Sequence, residues 1–339
     1  MLHTEELTNK KILYKKYIIL LILFILMIIS FLISVAKGSL DISVTKVLKA
    51  IFIETDTINH QIIWNIRVPR TLVAGLVGIC LSLSGAILQG IMRNPLASPN
   101  IIGVSSGAGL AAFVIFILFP EYYYLVPVGA FIGALAATLL IYMLAWKNGI
   151  NPMRLVLAGV AVSTLLKAGI NTLMTFFPDR VVGVIGFMVG GLSARTWIHF
   201  NTLWPYAIIG ILGSLILAKK LNVLMLGDEV ATSLGLNVEA TRLIFIVLAS
   251  LLAASAVSVV GLLGFVGLIV PHISRLIIGS DFKYLLPASA ILGATTLILC
   301  DTLARLLFDP VEIPVGIVMA ALGAPFFLYL LRERKSVSK

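Results

Sequence analysis

The sequence LMLGDEVATSLGLNVEATR, residues Leu224–Arg242, is a polar interlude in a chain that is otherwise almost continuously apolar. Gly227 is expected to interrupt the preceding helix. The acidic pair Asp228 and Glu229 is typical of a helix start, where negative charge meets the positive end of the helix dipole. Gly235 is a typical helix stop. The pattern therefore predicts one short helix across the end of a bundle of longer helices, either as a solvated connection or as a surface on which another protein acts.

The composition around this stretch defines the class of protein. Of the 339 residues, 60% are hydrophobic and 12% are charged, and a soluble domain of this length would need a far more polar surface. Because a helix needs about 20 mostly apolar residues to cross a bilayer, a polytopic membrane protein is predicted. The formal net charge of +10 does not indicate a nucleic-acid partner, since the basic residues flank apolar runs instead of forming a patch.

Neither cysteine nor histidine indicates a metal site. Cys80 and Cys300 both lie in apolar runs, where small packing residues are expected, and the four histidines are scattered along the chain. We therefore expect no metal and no cofactor on this chain.

The apolar runs predict an all-α integral membrane protein with about ten spanning helices. A polar tail, residues 1–16, precedes a membrane domain over residues 17–331, and a basic tail follows over residues 332–339. One span is expected to be short or broken and to stop at Pro271. The predicted spans are residues 17–36, 71–92, 101–119, 125–146, 155–177, 202–218, 243–260, 261–270, 284–304 and 314–331.

The distribution of positive charge predicts the orientation, because cytoplasmic loops are richer in Lys and Arg. With the N terminus inside, 16 of the 25 Lys and Arg residues fall in inside segments and eight in outside segments, while Lys167 lies within a span. This bias predicts that both termini and the 224–242 segment are cytoplasmic. It places Arg67, Arg70 and Arg305 outside.

Five blocks of sequence, in order along the chain, are similar to one family. They are RVPRTLVAGLVG (Arg67–Gly78), SGAILQGIMRNPLASPNIIGVSSGAG (Ser84–Gly109), GDEVATSLGLNV (Gly227–Val238), GLLGFVGLIVPHISRLIIGSD (Gly261–Asp281) and LGAPFFLYLL (Leu322–Leu331). These blocks resemble the iron–siderophore/cobalamin permease family of the FecCD type, the membrane subunits of type II ABC importers. The resemblance extends from about residue 65 to residue 332.

The resemblance implies the type II ABC importer permease fold, with ten helices per subunit. It implies a dimer of permeases, identical or paralogous, with the pathway at their interface, in the bacterial cytoplasmic membrane. It also implies two ABC ATPase subunits and an extracytoplasmic substrate-binding protein. The chain has no GxxxxGK[ST] phosphate-binding motif, so ATP and Mg²⁺ are expected on the separate ATPase and the permease is expected to be non-catalytic.

The resemblance further implies roles for particular residues. A short helix in the 224–242 segment would contact the ATPase and act as a rigid lever. Three arginines would pair with carboxylates of the binding protein, because a guanidinium group binds a carboxylate bidentately. The turn after the second span would close the pore at its cytoplasmic end by dewetting. The residues are Gly227, Asp228, Glu229, Ala231, Thr232, Leu234 and Gly235 for coupling, Arg67, Arg70 and Arg305 for docking, and Asn94, Pro95 and Leu96 for the gate.

Two of these roles have structural alternatives. Asp301 precedes Arg305 by four residues, which is a spacing that favours an ion pair within one helix. The gate segment is also consistent with a simple turn that connects two helices.

Lys167 is predicted to be a pathway residue from its position alone. It lies roughly 20 Å from the inner end of the fifth predicted span at 1.5 Å per residue. A cation at that depth is costly and usually has a function. We expect it to face the pathway and to attract an anionic ferric chelate; the alternative is that it reaches the membrane interface or hydrogen-bonds between helices.

The predicted function is the permease subunit of an ATP-driven importer that takes up ferric siderophores by alternating access. Haem and cobalamin are the alternative cargoes, because the small and apolar residues of the spans do not identify a ligand. An ion-coupled secondary transporter would need acidic or polar relays in mid-membrane, and the predicted spans contain almost no acidic residues. A membrane-embedded enzyme would need paired carboxylates or a His–metal cluster, which the sequence does not indicate.

Overall fold

The computed structural model describes residues 2–38, 42, 43, 45, 47, 49, 57–147 and 152–337, with side chains between residues 13 and 328. Helix accounts for 84% of the described residues, and the same ranges contain no β-strand. Short 3₁₀ helices cover Pro99–Ile102, Pro120–Leu125 and Pro178–Val184, and a π-helical turn covers Ile63–Arg67. The α-helices are α1 (Leu2–Ala36), α2 (Ile58–Ile62), α3 (Val68–Ile91), α4 (Val104–Leu118), α5 (Val126–Ala145), α6 (Pro152–Phe176), α7 (Ile185–Val189), α8 (Trp197–Ile216), α9 (Ala218–Met225), α10 (Asp228–Ser233), α11 (Val238–Val260), α12 (Val266–Ile278), α13 (Phe282–Leu306) and α14 (Val315–Val337).

Helix α3 lies at the centre of the bundle, where it packs against α8, α11, α12 and α13. It belongs to the most deeply buried of the candidate spans. A Cβ atom added to Gly78 would lie 2.2 Å from the carbonyl oxygen of Gly293 in α13, and one added to Gly85 would lie 1.8 Å from that of Gly267 in α12. Only glycine therefore permits these backbones to approach so closely, as small residues do generally in membrane bundles.

The other helices surround this centre. α4 and α5 form a closely packed pair and α1 packs on α13. α1 and α6 are mostly exposed along their apolar lengths. Such large exposed apolar faces are suited to lipid or to another membrane subunit.

Several described helices are long and apolar enough to cross a membrane. Six segments meet this condition, at Leu13–Ala36, Ile58–Ile91, Pro120–Ala145, Met153–Phe176, Val238–Val260 and Phe282–Leu306. α8 and α9 together make a seventh if they form one broken span, since they are bent by 54° at their junction. Three shorter apolar helices are Val104–Leu118, Val266–Ile278 and Val315–Leu328. The predicted all-helical, multi-pass class is confirmed, whereas the count of ten spans stays a prediction.

The predicted end of the eighth span at Pro271 is wrong, because α12 continues through this residue. A proline inside a helix leaves the carbonyl four residues earlier without its N–H partner. Here that carbonyl belongs to Gly267, and it lies against α3 where Gly85 has no side chain to obstruct it. The neighbouring carbonyl of Leu268 accepts a hydrogen bond from Gln89 Nε2 of α3 at 3.2 Å. Packing against α3 thus accommodates a proline that the sequence pattern alone marks as a helix stop.

Candidate coupling, gate and docking sites

Helix α10, the predicted coupling helix, is bounded by two glycines with positive φ, as the sequence predicts. Gly227 has φ +107° and Gly235 has φ +80°. The N–H of Gly235 donates to the Thr232 carbonyl, and the N–H of Leu236 donates to the Ala231 carbonyl. This pair of bonds is the usual way in which a helix ends on a left-handed residue. The glycines therefore fix both ends of α10.

The two sides of α10 differ in exposure. Ala231 is buried, whereas the Leu234 side chain is 63% exposed and Val230 is also exposed. Glu229 lies on the exposed side as well. An exposed apolar pair beside a carboxylate is suited to contact with another protein.

The connection that contains α10 is shorter than predicted. α9 covers the first two residues of the 224–242 segment, and α11 covers its last five. Asn237 begins α11 by accepting a hydrogen bond from the N–H of Ala240 at 3.0 Å, which is a typical N-cap. Arg242 consequently belongs to α11 and not to the connection.

Asp228, the first residue of α10, is held by two arginines from different elements. Arg93 Nη2 lies 3.0 Å from Asp228 Oδ1. Arg242 Nη2 donates to both carboxylate oxygens, at 2.9 and 3.1 Å. The Arg242 side chain is only 3% exposed, compared with 38% for Arg93. The Asp228 carboxylate, predicted to contact the ATPase, is thus already paired within the chain.

The predicted gate residues form the tight turn after α3, next to Arg93. The N–H of Leu96 donates to Asn94 Oδ1 at 3.0 Å, and the N–H of Asn94 donates to the Gln89 carbonyl at 3.1 Å. Asn94 is exposed, whereas Pro95 and Leu96 are half-buried. The turn is therefore held by its own hydrogen bonds, and its role as a gate stays a prediction.

Two of the three predicted docking arginines are buried at the other end of the bundle. Arg67 Nη1 donates to the carbonyls of Val35 and Ala36 at 2.9 and 3.0 Å. Arg305 Nη1 donates to the carbonyl of Lys37 at 3.0 Å. Val35 and Ala36 are the last two residues of α1 and Lys37 follows it, at a helix end where backbone acceptors lack intrahelical partners. Both arginines therefore tie the end of α1 to the bundle.

Arg70 is the predicted docking arginine nearest the surface. Its Nε and Nη2 atoms bind the Asp301 carboxylate at 2.9 to 3.3 Å, and its Nη1 lies 2.8 Å from Glu312 Oε2. Asp301 is 1% exposed and also pairs with Arg305 Nε at 3.3 Å within α13. This is the intrahelical pair that the sequence spacing favours as the alternative for Arg305. Glu312, by contrast, is 37% exposed.

Arg195 joins this cluster although the sequence assigns it no role. Together with Arg70 and Glu312 it lines a cavity of about 150 Å³. Its Nη1 lies 3.3 Å from His199 Nε2, and its Nε has no hydrogen-bond partner among the described residues. Burial and the neighbouring charge of Arg70 lower the pKa of Arg195. The cavity is thus suited to an anionic group.

The two clusters lie at opposite ends of one helix. α3 has 24 residues, or about 36 Å at 1.5 Å per residue. Arg70 lies in its first turn, and Arg93 lies two residues beyond its last residue, Ile91. This separation agrees with the relative placement that the charge distribution predicts, with Arg93 and Arg242 at one end and Arg70 and Arg305 at the other.

Lys167 is exposed in the middle of α6. Thr164, Asn171 and Thr175 are also exposed, and their spacing from Lys167 places them on the same face of the helix. We call Thr164, Lys167, Asn171 and Thr175 the α6 polar stripe. It runs along a helix whose other exposed side chains are mainly apolar.

Within the described ranges, no group of three His, Cys, Asp or Glu residues is placed to hold a metal ion. Cys80 and Cys300 are buried free thiols. At both ends of the bundle, arginine side chains bind carboxylates or backbone carbonyls.

Comparisons with known proteins agree with one another. Residues 26–333 match the model described as the FecCD transport family. The chain is 43% identical over 314 residues to the Fe(3+)-citrate import system permease protein YfmE of Bacillus subtilis, covering 92% of this chain and 94% of that protein. It is 42% identical over 289 residues to the hemin transport system permease protein HmuU of Yersinia pestis, covering 81% and 85% of the two chains. Among solved structures, a metal-chelate type ABC transporter in an inward-facing conformation matches with a TM-score of 0.84 and 32% identity, covering 93% of this chain and 99% of that chain.

Proposed function

The chain belongs to the FecCD transport family, and from this premise we propose that it is the permease subunit of an ATP-driven importer for ferric siderophores. Members of the family are non-catalytic permease subunits of ABC transporters, and a separate subunit hydrolyses ATP. The observation that carries the choice of cargo is the 43% identity to a ferric citrate permease over nearly the whole chain. The cargo passes from an extracytoplasmic binding protein to the cytoplasm by alternating access.

The proposed subunit crosses the bacterial cytoplasmic membrane ten times, with both termini inside. The six long apolar helices, the bent α8–α9 pair and the three shorter apolar helices together give this number. The excess of Lys and Arg in the inside segments supports the orientation. A second permease, identical or paralogous, and two ABC ATPases complete the membrane complex.

The proposed ATPase contact is the exposed side of α10. Leu234 and Val230 supply apolar surface, and Glu229 supplies a carboxylate that is exposed. Because glycines bound α10 at both ends, the helix can respond to the ATPase as one short rigid piece.

The proposed docking site for the substrate-binding protein is the cavity between Arg70 and Arg195. An incoming carboxylate would pair with both guanidinium groups. Glu312 already occupies Nη1 of Arg70, so the partner's carboxylate would compete with it. Arg67 and Arg305 contribute indirectly, because they hold the end of α1 beside this site.

The proposed pathway face is the α6 polar stripe. A lysine exposed to lipid in mid-membrane would be costly, so a water-filled pathway between two permeases is the favourable surroundings for Lys167. Its charge would attract an anionic ferric chelate. The turn Asn94–Leu96 would close this pathway at the cytoplasmic end.

Haem is the second candidate cargo, because the hemin permease of Yersinia pestis is almost as similar as the ferric citrate permease. An importer for haem and an importer for ferric siderophores would use the same machinery. The two would differ only in the residues that line the pathway. Cobalamin is the remaining alternative from the family resemblance.

The test is uptake by cells that lack their own permeases of this family and carry this chain with its ATPase and binding protein. Ferric citrate, a ferric hydroxamate, haem and cobalamin are supplied separately in labelled form. Accumulation of an iron chelate in preference to haem and cobalamin would support the proposal. Accumulation of haem alone would identify haem as the cargo. Uptake by the chain without an ATPase, driven by an ion gradient, would end it.

A further inference from the structure

The Asp228 carboxylate joins three separate elements at the inner end of the bundle. Asp228 begins α10, Arg93 belongs to the turn that follows α3, and Arg242 lies in the second turn of α11. The Arg93–Asp228 contact joins residues that are 135 positions apart in the chain, and the Arg242–Asp228 contact joins residues 14 positions apart. The side chain of Asp228 is 45% exposed. It is therefore the point at which α10 is connected to two other parts of the bundle.

The two arginines hold Asp228 in different ways. Arg242 is almost fully buried and binds both carboxylate oxygens, so it connects α10 firmly to α11. Arg93 is partly exposed and binds one oxygen. Its backbone has φ +47°, a conformation that is uncommon for a residue with a side chain. The turn is thus held in an unusual shape at the residue that contacts α10.

Arg93 immediately precedes the predicted gate turn. Asn94, the next residue, closes that turn through its Oδ1 atom. A shift of α10 that carries Asp228 with it would therefore move Arg93 and, through one peptide bond, Asn94. Gly227, just before α10, also lies close to Arg93: an added Cβ atom would be 3.6 Å from Arg93 Nη1.

We propose that the Asp228–Arg93 ion pair transmits movement of α10 to the turn Asn94–Leu96. Asp228 is a positioning residue here: it acts through Arg93 and touches neither cargo nor nucleotide. The proposal rests on the proposed function, because it takes α10 as the surface on which the ATPase acts. The competing explanation is that the pair only stabilises the fold.

The test uses the complete transporter, with its ATPase and binding protein, in proteoliposomes. The variants are Asp228→Asn, Arg93→Gln and the double variant, with Arg93→Lys as the conservative replacement. Glu239→Gln is the matched control, since it removes an exposed carboxylate of the first turn of α11 that forms no ion pair among the described residues. Each variant is also made with Leu96→Cys, so that labelling by a thiol reagent reports how accessible the gate turn is with and without ATP.

We expect Arg93→Gln to reduce the cargo moved per ATP hydrolysed by about tenfold while the ATPase remains bound and active. The ATP-dependent change in labelling at position 96 should disappear. Arg93→Lys should restore most of the coupling, and Glu239→Gln should leave the ratio of transport to hydrolysis unchanged. If Asp228 and Arg93 act only through their ion pair, the double variant should move as much cargo per ATP hydrolysed as either single variant.

Normal coupling and normal ATP-dependent labelling in Arg93→Gln would overturn the proposal. Loss of ATPase binding in Asp228→Asn but not in Arg93→Gln would also overturn it, because Asp228 would then contact the ATPase itself. Asp228→Asn removes a carboxylate that binds the buried Arg242; if that variant does not fold, Arg93→Gln still decides the question from the exposed side. Failure of the unaltered complex to transport with ATP would instead overturn the proposed function, and the Glu239→Gln control would fail with it.

Discussion

At the scale of single residues, burial separates arginines that look alike in the sequence. Arg67 and Arg305 bind backbone carbonyls, whereas Arg70 and Arg195 line a cavity. The sequence and its family resemblance found three of these four residues but could not distinguish their partners. Arg70 and Asp301 are 231 positions apart, and such a pairing exists only once the helices have assembled. Arg195 was missed because no spacing or motif marks it.

Asp301→Asn should destabilise the permease more than any other change in the cluster of Arg70, Arg195, Asp301, Arg305 and Glu312. Asp301 is buried and pairs with both Arg70 and Arg305, and removal of one partner of a buried ion pair costs about 3 kcal/mol or more. The measurement is thermal unfolding of the purified permease in detergent. Glu312→Gln is the control and should cost less than about 1 kcal/mol, because that pair is partly exposed. Equal melting temperatures for the two variants would contradict this ranking.

Glu312→Gln should strengthen docking of the binding protein. The change frees Nη1 of Arg70 for the partner's carboxylate, and loss of a partly exposed competitor corresponds to about a two- to fivefold gain in affinity. Arg195→Gln should weaken docking, and both effects should shrink as salt is raised. Affinity is measured between the permease in nanodiscs and its binding protein. Weaker docking in Glu312→Gln would mean that Glu312 is itself part of the contact.

Lys167→Met should slow transport of an anionic ferric chelate by about tenfold if its charge concentrates cargo in the pathway. The affinity for the binding protein should not change, because Lys167 lies in the middle of α6 and does not line the proposed docking cavity. Initial uptake rates measure the effect, with Lys219→Met on α9 as the control. An unchanged uptake rate would remove Lys167 from the pathway.

At the scale of elements, the sequence was most informative where a helix end depends on local residues. Gly227 and Gly235 bound α10 as predicted, because the positive φ angles that they adopt favour glycine. The start of α11 was placed too late, although Asn237 is a recognisable N-cap. Pro271 was misjudged for another reason: its effect on α12 depends on Gly85 and Gln89 of α3, which are distant in sequence.

Gly85→Val should prevent correct assembly of the bundle. The added Cβ would lie 1.8 Å from the carbonyl oxygen of Gly267, so α3 and α12 would have to separate, at a cost of about 3 kcal/mol or more. Size-exclusion profiles and melting temperatures measure the fraction that folds. Gly264→Ala should be harmless in the same assay, since no atom lies within 4 Å of a Cβ added there. A monodisperse, stable Gly85→Val protein would contradict the packing described for α3.

At the scale of the whole molecule, composition was sufficient for the fold class, and the family resemblance supplied the architecture. Apolar runs located the long helices well. The number of spans is harder to predict, because α4, with 15 residues, and α12, with 13, are short for a bilayer crossing. The placement of charges at the two ends followed from simple counting, whereas the ion pairs within each end did not.

Labelling with a membrane-impermeant thiol reagent tests the orientation. Glu312→Cys should react in intact cells from which any outer barrier has been removed, and Glu229→Cys should react only after the membrane is opened. The buried thiols of Cys80 and Cys300 should remain unlabelled. The reverse pattern of labelling would invert the proposed topology and with it the assignment of docking and coupling ends.

Helix α3 has Arg70 in its first turn and ends at Ile91, two residues before Arg93, and close glycine contacts leave it little freedom to bend. The proposed ATPase and the proposed binding protein, on opposite sides of the bilayer, would therefore act on the two ends of the same rigid helix. If nucleotide changes the affinity of the transporter for the binding protein by some factor, the binding protein must change the affinity for nucleotide by the same factor. Nucleotide affinity measured with and without the docked binding protein would therefore change by the same factor as docking affinity measured with and without nucleotide.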